Sequence, residues 1–257
     1  MISKIFKENK ELITGTIVFL LYFILSFSQA LPLKLLGINI ENMSLTIKQI
    51  YLICYNLFIV VLFFFIYRND LKKEWQDFKA NYKGYFRGYI KYWFFALAVM
   101  YAANFAIAGI KYVTSGNIST AENEAMIRET LAKAPVYTFI AAAFVAPIVE
   151  ELTFRKSLRK IFNNKILFIV ISSLIFGGLH VFTSNVTLID LLYLIPYCAP
   201  GVAFAYILVK TDNIFNTISL HLLHNSILMI LQIIMLTKGL LWKKQLLNYL
   251  FLSYWQL

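Results

Sequence analysis

Runs of apolar residues, each close to the length that crosses the roughly 30 Å hydrocarbon core of a bilayer, recur along this 257-residue chain from one end to the other. Nothing else in the sequence limits the fold so tightly. Inside a bilayer every backbone N–H and C=O must be satisfied within the protein, and runs of this length achieve that as helices. The readable spans are Ile13 to Ala30, Ile50 to Tyr67, Trp93 to Ile110, Pro135 to Leu152 continuing as helix beyond, Ile166 to Thr183, Leu188 to Val209 and Ile214 to Leu236. The stretch Leu246 to Leu257 is apolar but about 12 residues long, short of the roughly 17 to 25 that a span requires. It reads as an interfacial or incomplete eighth helix. The expected fold class is all-α, a polytopic transmembrane helical bundle of about 7–8 membrane helices, with residues 1–257 forming a single membrane domain.

Composition excludes the soluble alternative. Only 14% of the residues are charged and 60% are hydrophobic, against roughly 25% charged in soluble domains. The net charge of +11 does not point to nucleic acid, because the basic residues form short clusters between apolar runs instead of one solvated face. With the N-terminus inside, sixteen of the 24 Lys and Arg residues face the cytoplasm. The expected location is therefore the cell membrane, multi-pass, with a cytoplasmic N-terminus. Lys4, Lys7 and Lys10 precede the first apolar run, but no small-residue cleavage site follows, so that run reads as an uncleaved first helix. Cys54 and Cys198 lie in apolar segments with neither disulfide-type nor metal-type spacing.

Two stretches outside the spans carry their own pattern. Between Arg68 and Tyr92, Leu71, Trp75, Phe78, Tyr82, Phe86 and Tyr89 recur at steps of three or four, interleaved with Lys72, Lys73, Lys79, Lys83, Arg87 and Lys91. This predicts a helix lying on the inner leaflet, with docking of an anionic lipid or a protein as the alternative use. Further on, Ser119 and Glu122 form a capping-box pattern for a short helix running to Lys133 and stopped by Pro135, a connector or a lid.

A charged side chain near the bilayer centre costs several kcal/mol, so each one there needs a partner or a task. All three histidines, His180, His221 and His224, fall in predicted spans, and Glu150 and Glu151 sit side by side in the apolar run AAAFVAPIVEELTFR. At 1.5 Å per residue from the neighbouring turns, Glu150 and His180 lie roughly 18 and 22 Å up their helices, with His221 and Asn225 at roughly 12 to 22 Å. One shared depth is possible. Glu151 and Arg155 fall on one helix face at i, i+4, as do His221 and Asn225. Such a set suits hydrolysis: a carboxylate beside an imidazole can take a proton from water, while imidazole and amide donors one turn apart can stabilise the oxyanion on the attacked carbonyl.

EELTFR (Glu150, Glu151, Arg155) matches the pattern EExxxR, FGGLH (Phe176, His180) matches FxxxH, and HLLHN (His221, Asn225) matches HxxxN. In this order and spacing the chain resembles the CPBP family, the CAAX proteases and bacteriocin-processing enzymes, with residues 135–236 as the CPBP-like catalytic helices. The resemblance implies intramembrane endopeptidase activity on a peptide or membrane-protein substrate. It implies that Glu150 activates water together with His180, that His221 and Asn225 form the oxyanion site, and that Glu151 and Arg155 support packing and charge balance. No cofactor is expected. Glu/His clusters can bind zinc, and Glu150, His180 and His221 would be the ligands, but HExxH is absent and the related prenyl-protein endopeptidase is understood as a metal-free glutamate enzyme. Bland readings exist for each part. Glu150 and Glu151 could simply pair with Arg155, His180 could be a packing residue beside Gly177 and Gly178, and His224 matches no motif position and reads as packing or as a support behind the site's other side chains. Two other classes compete with the protease: a non-catalytic regulatory or bacteriocin self-immunity protein, and a proton-coupled transporter, which should show repeat-like halves that this chain lacks.

Overall fold

The structure is a computed structural model and describes residues 2–116, 120–182 and 186–237, with side chains from residue 9 onward. Among these residues every regular element is helical. In chain order they are α1 (Ile2–Phe27), the short α2 (Leu31–Leu35), α3 (Leu45–Ile66), α4 (Arg68–Ser115), α5 (Glu122–Lys133), α6 (Pro135–Ile161), α7 (Lys165–Val181), α8 (Asp190–Thr211, opening on a 3-10 turn) and α9 (Ile214–Thr237). Six are long and apolar enough to cross a membrane, and α7 is an apolar helix of 17 residues. Each of the seven crossings read from the sequence coincides with one of these helices, and the polytopic all-α class holds. Ser119 and the segment Leu246 to Leu257 lie outside the described residues. The helix predicted from the capping pattern is α5, ending where Pro135 opens α6.

The chain marks its helix ends with residues suited to them. Asn164 caps α7, its Oδ1 accepting from the N–H groups of Ile166 and Leu167 at 2.9 and 3.0 Å. Gly116 ends α4 at φ 68° and Asp212 ends α8 at φ 48°, the left-handed geometry that turns a chain out of a helix.

In one place the fold departs from expectation. The predicted leaflet helix and the following span are not separate: α4 runs unbroken for 48 residues, about 72 Å at 1.5 Å per residue. No proline interrupts Arg68–Ser115, and Gly84 and Gly88 each cost only about 1 kcal/mol relative to alanine, less than a break in the backbone ladder. Its first turns carry three carboxylates that the aromatic and basic pattern hides. Asp70 pairs with Lys160 at 2.8 Å and Glu74 with Lys156, both lysines on α6. The Glu74 Oε2 also accepts the N–H of Ile214 at 2.9 Å, and Asn213 donates to the Glu74 carbonyl and to Asp77 at 2.7 and 2.8 Å. One end of α4 thus laces together the ends of α6 and α9, the helices that bear the two halves of the polar cluster.

The third bearer, α7, is fixed by contact with α8. A Cβ on Gly177 would lie 2.5 Å from the Cys198 Sγ and 3.2 Å from its backbone nitrogen. Only glycine lets these helices close to that distance, and Cys198 in turn donates its thiol to the Ser173 carbonyl at 3.2 Å.

Glu74→Ala strands the buried Lys156 ammonium and uncaps Ile214, and is expected to destabilise the protein by about 3 kcal/mol. The double variant with Lys156→Met should recover more than half of that loss. Thermal melts of the purified protein in detergent check both, and simple additivity of the two substitutions would contradict the lacing.

Candidate active site

Three short-range contacts build the centre. Glu151 Oε1 lies 2.9 Å from His221 Nδ1 and 3.5 Å from Arg155 Nε, and His221 Nε2 lies 3.7 Å from Glu150 Oε2. Glu151, Arg155 and His221 are wholly buried, and Glu150 is nearly so. The two adjacent glutamates therefore differ in standing. Glu151 is tied on one side to a guanidinium and on the other to an imidazole. Each glutamate keeps a buried Oε2 without a hydrogen-bond partner among the described residues, but Glu150, unlike Glu151, accepts no hydrogen bond there through its other oxygen either. Because Nδ1 of His221 is engaged by Glu151, the ring is oriented so that Nε2 is the atom presented to Glu150.

Arg155 is a fully buried cation whose terminal nitrogens donate to no oxygen among the described residues. Aromatic faces take that role. Its Cζ sits 4.1 Å from the centroid of Phe176 and 5.9 Å from that of Phe204, within the range where a ring quadrupole attracts a cation. Phe176 is also the hub of the cluster, with ring centroids 4.8 Å from His180 and 5.9 Å from His221. Through Phe176 the α7 histidine joins the α6 and α9 residues. No ion pair or hydrogen bond links Glu150 directly to His180 among the described residues.

The carboxamide of Asn225 is placed by a defect in α6. Residues Ala141–Val145 form a π-helical turn in which the N–H of Ala146 bonds to the carbonyl of Ala141, five residues back. The next bond of that register would run from residue 147 to Ala142, but residue 147 is proline and has no N–H. The Ala142 carbonyl instead accepts from Asn225 Nδ2 at 2.9 Å. A second π-helical stretch, Glu151–Ser157, begins at the glutamate pair itself and closes on Ser157, whose hydroxyl contacts Tyr67 at 2.8 Å. Such bulges gather at functional sites because they re-aim side chains without ending the helix.

His180 is the penultimate residue of α7 and lies in the wall of a cavity of about 500 Å³. Lys111, Glu122, Asp190 and Tyr193 also line it, so the cavity sits where α4 ends, α5 and α8 begin and α7 stops. Tyr197 of α8 stacks on the His180 ring, with centroids 5.3 Å apart and planes 28° from parallel. The α5 helix is therefore more than a connector, since Ala121 and Glu122 form part of this wall.

Of the residues singled out from sequence, Glu150, Glu151, Arg155 and His221 meet directly, His180 joins through Phe176, and Asn225 is anchored one turn from His221. His224 takes the supporting place of its two readings: Trp93 Nε1 donates to its Nδ1 at 3.1 Å, bringing the middle of α4 to the site. Pro147, Trp93 and Tyr197 escaped sequence reasoning, although a proline three residues before a buried carboxylate pair is a visible signal. As for the zinc alternative, no three His, Cys, Asp or Glu side chains converge as metal ligands among the described residues.

Comparison with known proteins points to the same segment of the chain. The family model for Rce1-like type II CAAX prenyl endopeptidases matches residues 132–227, the stretch that holds every member of the cluster except Trp93. A Bacillus subtilis (strain 168) protein named "Putative membrane peptidase YdiL" is 33% identical over 144 residues, covering 54% of this chain and 55% of that protein. The match thus spans about half the length of the curated relative. No solved structure matches significantly. The similarity to the CPBP intramembrane proteases holds over the segment that builds the site.

Asn225→Ala should cost about 1 to 3 kcal/mol of stability, because it leaves the buried Ala142 carbonyl without a donor. Adding Pro147→Ala supplies the missing backbone N–H and should restore part of the stability. Thermal denaturation of the single and double variants is the check, and an Asn225→Ala protein as stable as the parent would break the link between Pro147 and Asn225.

Proposed function

We propose that this multi-pass membrane protein is an intramembrane endopeptidase of the CPBP type, cleaving peptide or membrane-protein substrates with water activated at Glu150. The observation that carries the reading is the inequality of the paired glutamates: Glu151 is held through Oε1 by Arg155 and His221, while Glu150 accepts no hydrogen bond among the described residues and its buried Oε2 lies 3.7 Å from His221 Nε2. A carboxylate in that position is suited to bind and deprotonate a water molecule.

In the proposed reaction the water oxygen attacks the scissile carbonyl carbon as its proton passes to Glu150, and the carbonyl oxygen takes up the negative charge. His180, standing in the cavity wall, helps hold the attacking water. His221 and Asn225 face the developing oxyanion. The bond between Asn225 and Ala142 fixes the plane of the carboxamide beside the imidazole. Collapse of the tetrahedral species expels the amine, which takes the proton back from Glu150. Neither residue is consumed. Glu151 and Arg155 act on the imidazole and not on the substrate: they hold His221 in the orientation that turns Nε2 toward Glu150. Water and the substrate backbone reach this centre from the cavity of about 500 Å³ beside His180. With the N-terminus in the cytoplasm, that cavity opens on the opposite side of the membrane. As proposed, the reaction is carried by these side chains and needs no metal.

Glu150→Gln and His180→Ala should each lower processing by at least about a hundredfold while leaving membrane expression unchanged. The assay compares the membrane-peptide profiles of cells carrying the intact protein and the Glu150→Gln variant, looking for precursors that accumulate only in the latter. Chelators should leave the activity of purified protein intact. Identical profiles, together with a phenotype that survives Glu150→Gln, would show a non-catalytic protein that has kept the motifs. Proton-coupled flux in vesicles, lost in the same variant, would identify a carrier.

A further inference from the structure

The first half of α4 presents a row of cations with nothing to balance it. Lys79, Lys83, Arg87 and Lys91 follow one another at exact i, i+4 spacing and are all exposed. Like charges at this spacing repel and destabilise a helix. Elsewhere on the same helix the chain neutralises such cost: Asp70, Glu74 and Lys111 all form ion pairs. None of the four cations in the row pairs with a carboxylate among the described residues; three of them lean on the rings of Trp75, Tyr82 and Tyr92 at 5.2 to 5.9 Å. The row therefore asks for an anionic surface outside the protein.

Beside it lies a groove of about 470 Å³ between α4 and α9. At one end Trp75 and Phe78 close onto Phe215, with centroids 5.1 and 6.1 Å apart, and beyond the other end Trp93 reaches His224. Between these contacts the helices stand apart. Lys83 and Arg87 stand at the groove, half-exposed Tyr82 and Phe86 form its apolar wall, and Asn216 and Leu220 line it from α9. Asn216 is 5% exposed, and its Nδ2 donates to no acceptor among the described residues. The one carboxylate nearby, Asp77, is already engaged by Tyr85, Asn81 and Asn213. The groove thus joins two cations and a buried, unspent amide donor to an aromatic wall long enough for a hydrocarbon chain.

We propose that this groove binds an anionic phospholipid, its phosphate held by Lys83, Arg87 and the Asn216 amide and an acyl chain laid along Tyr82, Phe86 and Leu220. A zwitterionic lipid offers the same chain but no net charge to meet the row. With the N-terminus in the cytoplasm the groove faces the inner leaflet, where anionic lipids supply the negative potential. The site adjoins the proposed catalytic centre: Leu220 precedes His221 in sequence and packs in one cluster with Trp93 and Phe204. Bound lipid would brace α9 at the residue before its histidine.

The test is independent of peptidase activity. Full-length protein purified in neutral detergent is titrated with phosphatidylglycerol or phosphatidylcholine, and bound lipid is counted by native mass spectrometry. Phosphatidylglycerol is expected to bind at least about tenfold more tightly. The double substitution Lys83→Gln with Arg87→Gln should weaken it roughly thirtyfold, since each cation near an anionic lipid surface contributes about a factor of five. Lys83→Arg with Arg87→Lys should keep the affinity, and Asn216→Ala should lose several-fold at an unchanged melting temperature. Equal binding of the two lipids, or unchanged phosphatidylglycerol binding in the Gln double variant, overturns the proposal. So does displacement of the lipid by RNA or by inorganic phosphate at comparable concentration, which would assign the row to a soluble anion.

Discussion

A charge inside a lipid-solvated bundle has no water to fall back on, and the contact between Glu151, Arg155 and His221 is how this protein meets that constraint at its centre. The guanidinium is wholly buried and lies 3.5 Å from the carboxylate. Its remaining surface is covered by the faces of Phe176 and Phe204 instead of by oxygens. Desolvating such a pair is expensive, and pairs of this kind are seldom retained for stability alone. What the pair gives here is orientation. With Nδ1 of His221 committed to Glu151, the other ring nitrogen is aimed at Glu150, and the identical side chains of two consecutive residues acquire different surroundings.

The helices that bear these groups are held at fixed separations by means unrelated to the chemistry. At one end α4 laces α6 to α9 through Glu74 and Asp77, and in the middle it reaches His224 through Trp93. On the far side Gly177 lets α7 lie against Cys198 of α8 closely enough for Tyr197 to stack on His180. Preorganised donors are effective only if they need not move when charge develops. A bundle whose three site-bearing helices are braced by a fourth satisfies that demand.

The spans were legible because the solvent is a bilayer: a helix that must be apolar for about 20 residues announces itself. The site residues were legible for the converse reason, since Glu150, Glu151, His180, His221 and Asn225 are costly in such runs and stand out against them. Features that depend on a partner distant in sequence were not. Asp70, Glu74 and Asp77 looked like ordinary polar positions in a basic segment until Lys156, Lys160 and Asn213 arrived from about 80 to 140 residues away. The unbroken course of α4 was hidden too, because a basic amphipathic stretch followed by an apolar one has the same pattern whether or not the helix bends between them. His224 could be read as packing or as a support for the site because no motif position covers it, and its Nδ1 finds its donor in Trp93, 131 residues earlier.

Pro147 shows how local chemistry and active-site geometry merge in this fold. Proline in a helix interior normally leaves a carbonyl unsatisfied, at a cost of about 3 kcal/mol or more. In water that carbonyl would be hydrated, but within a bundle it must find a protein donor, and here the donor is the carboxamide of Asn225. The π-helical register just before the proline determines which carbonyl is left over, Ala142 and not Ala143. The position of Asn225 one turn from His221 determines that the amide filling the gap is also the one beside the imidazole. A single missing N–H on α6 thus fixes the rotamer of a polar residue on α9, and the backbone defect and the polar site are one feature.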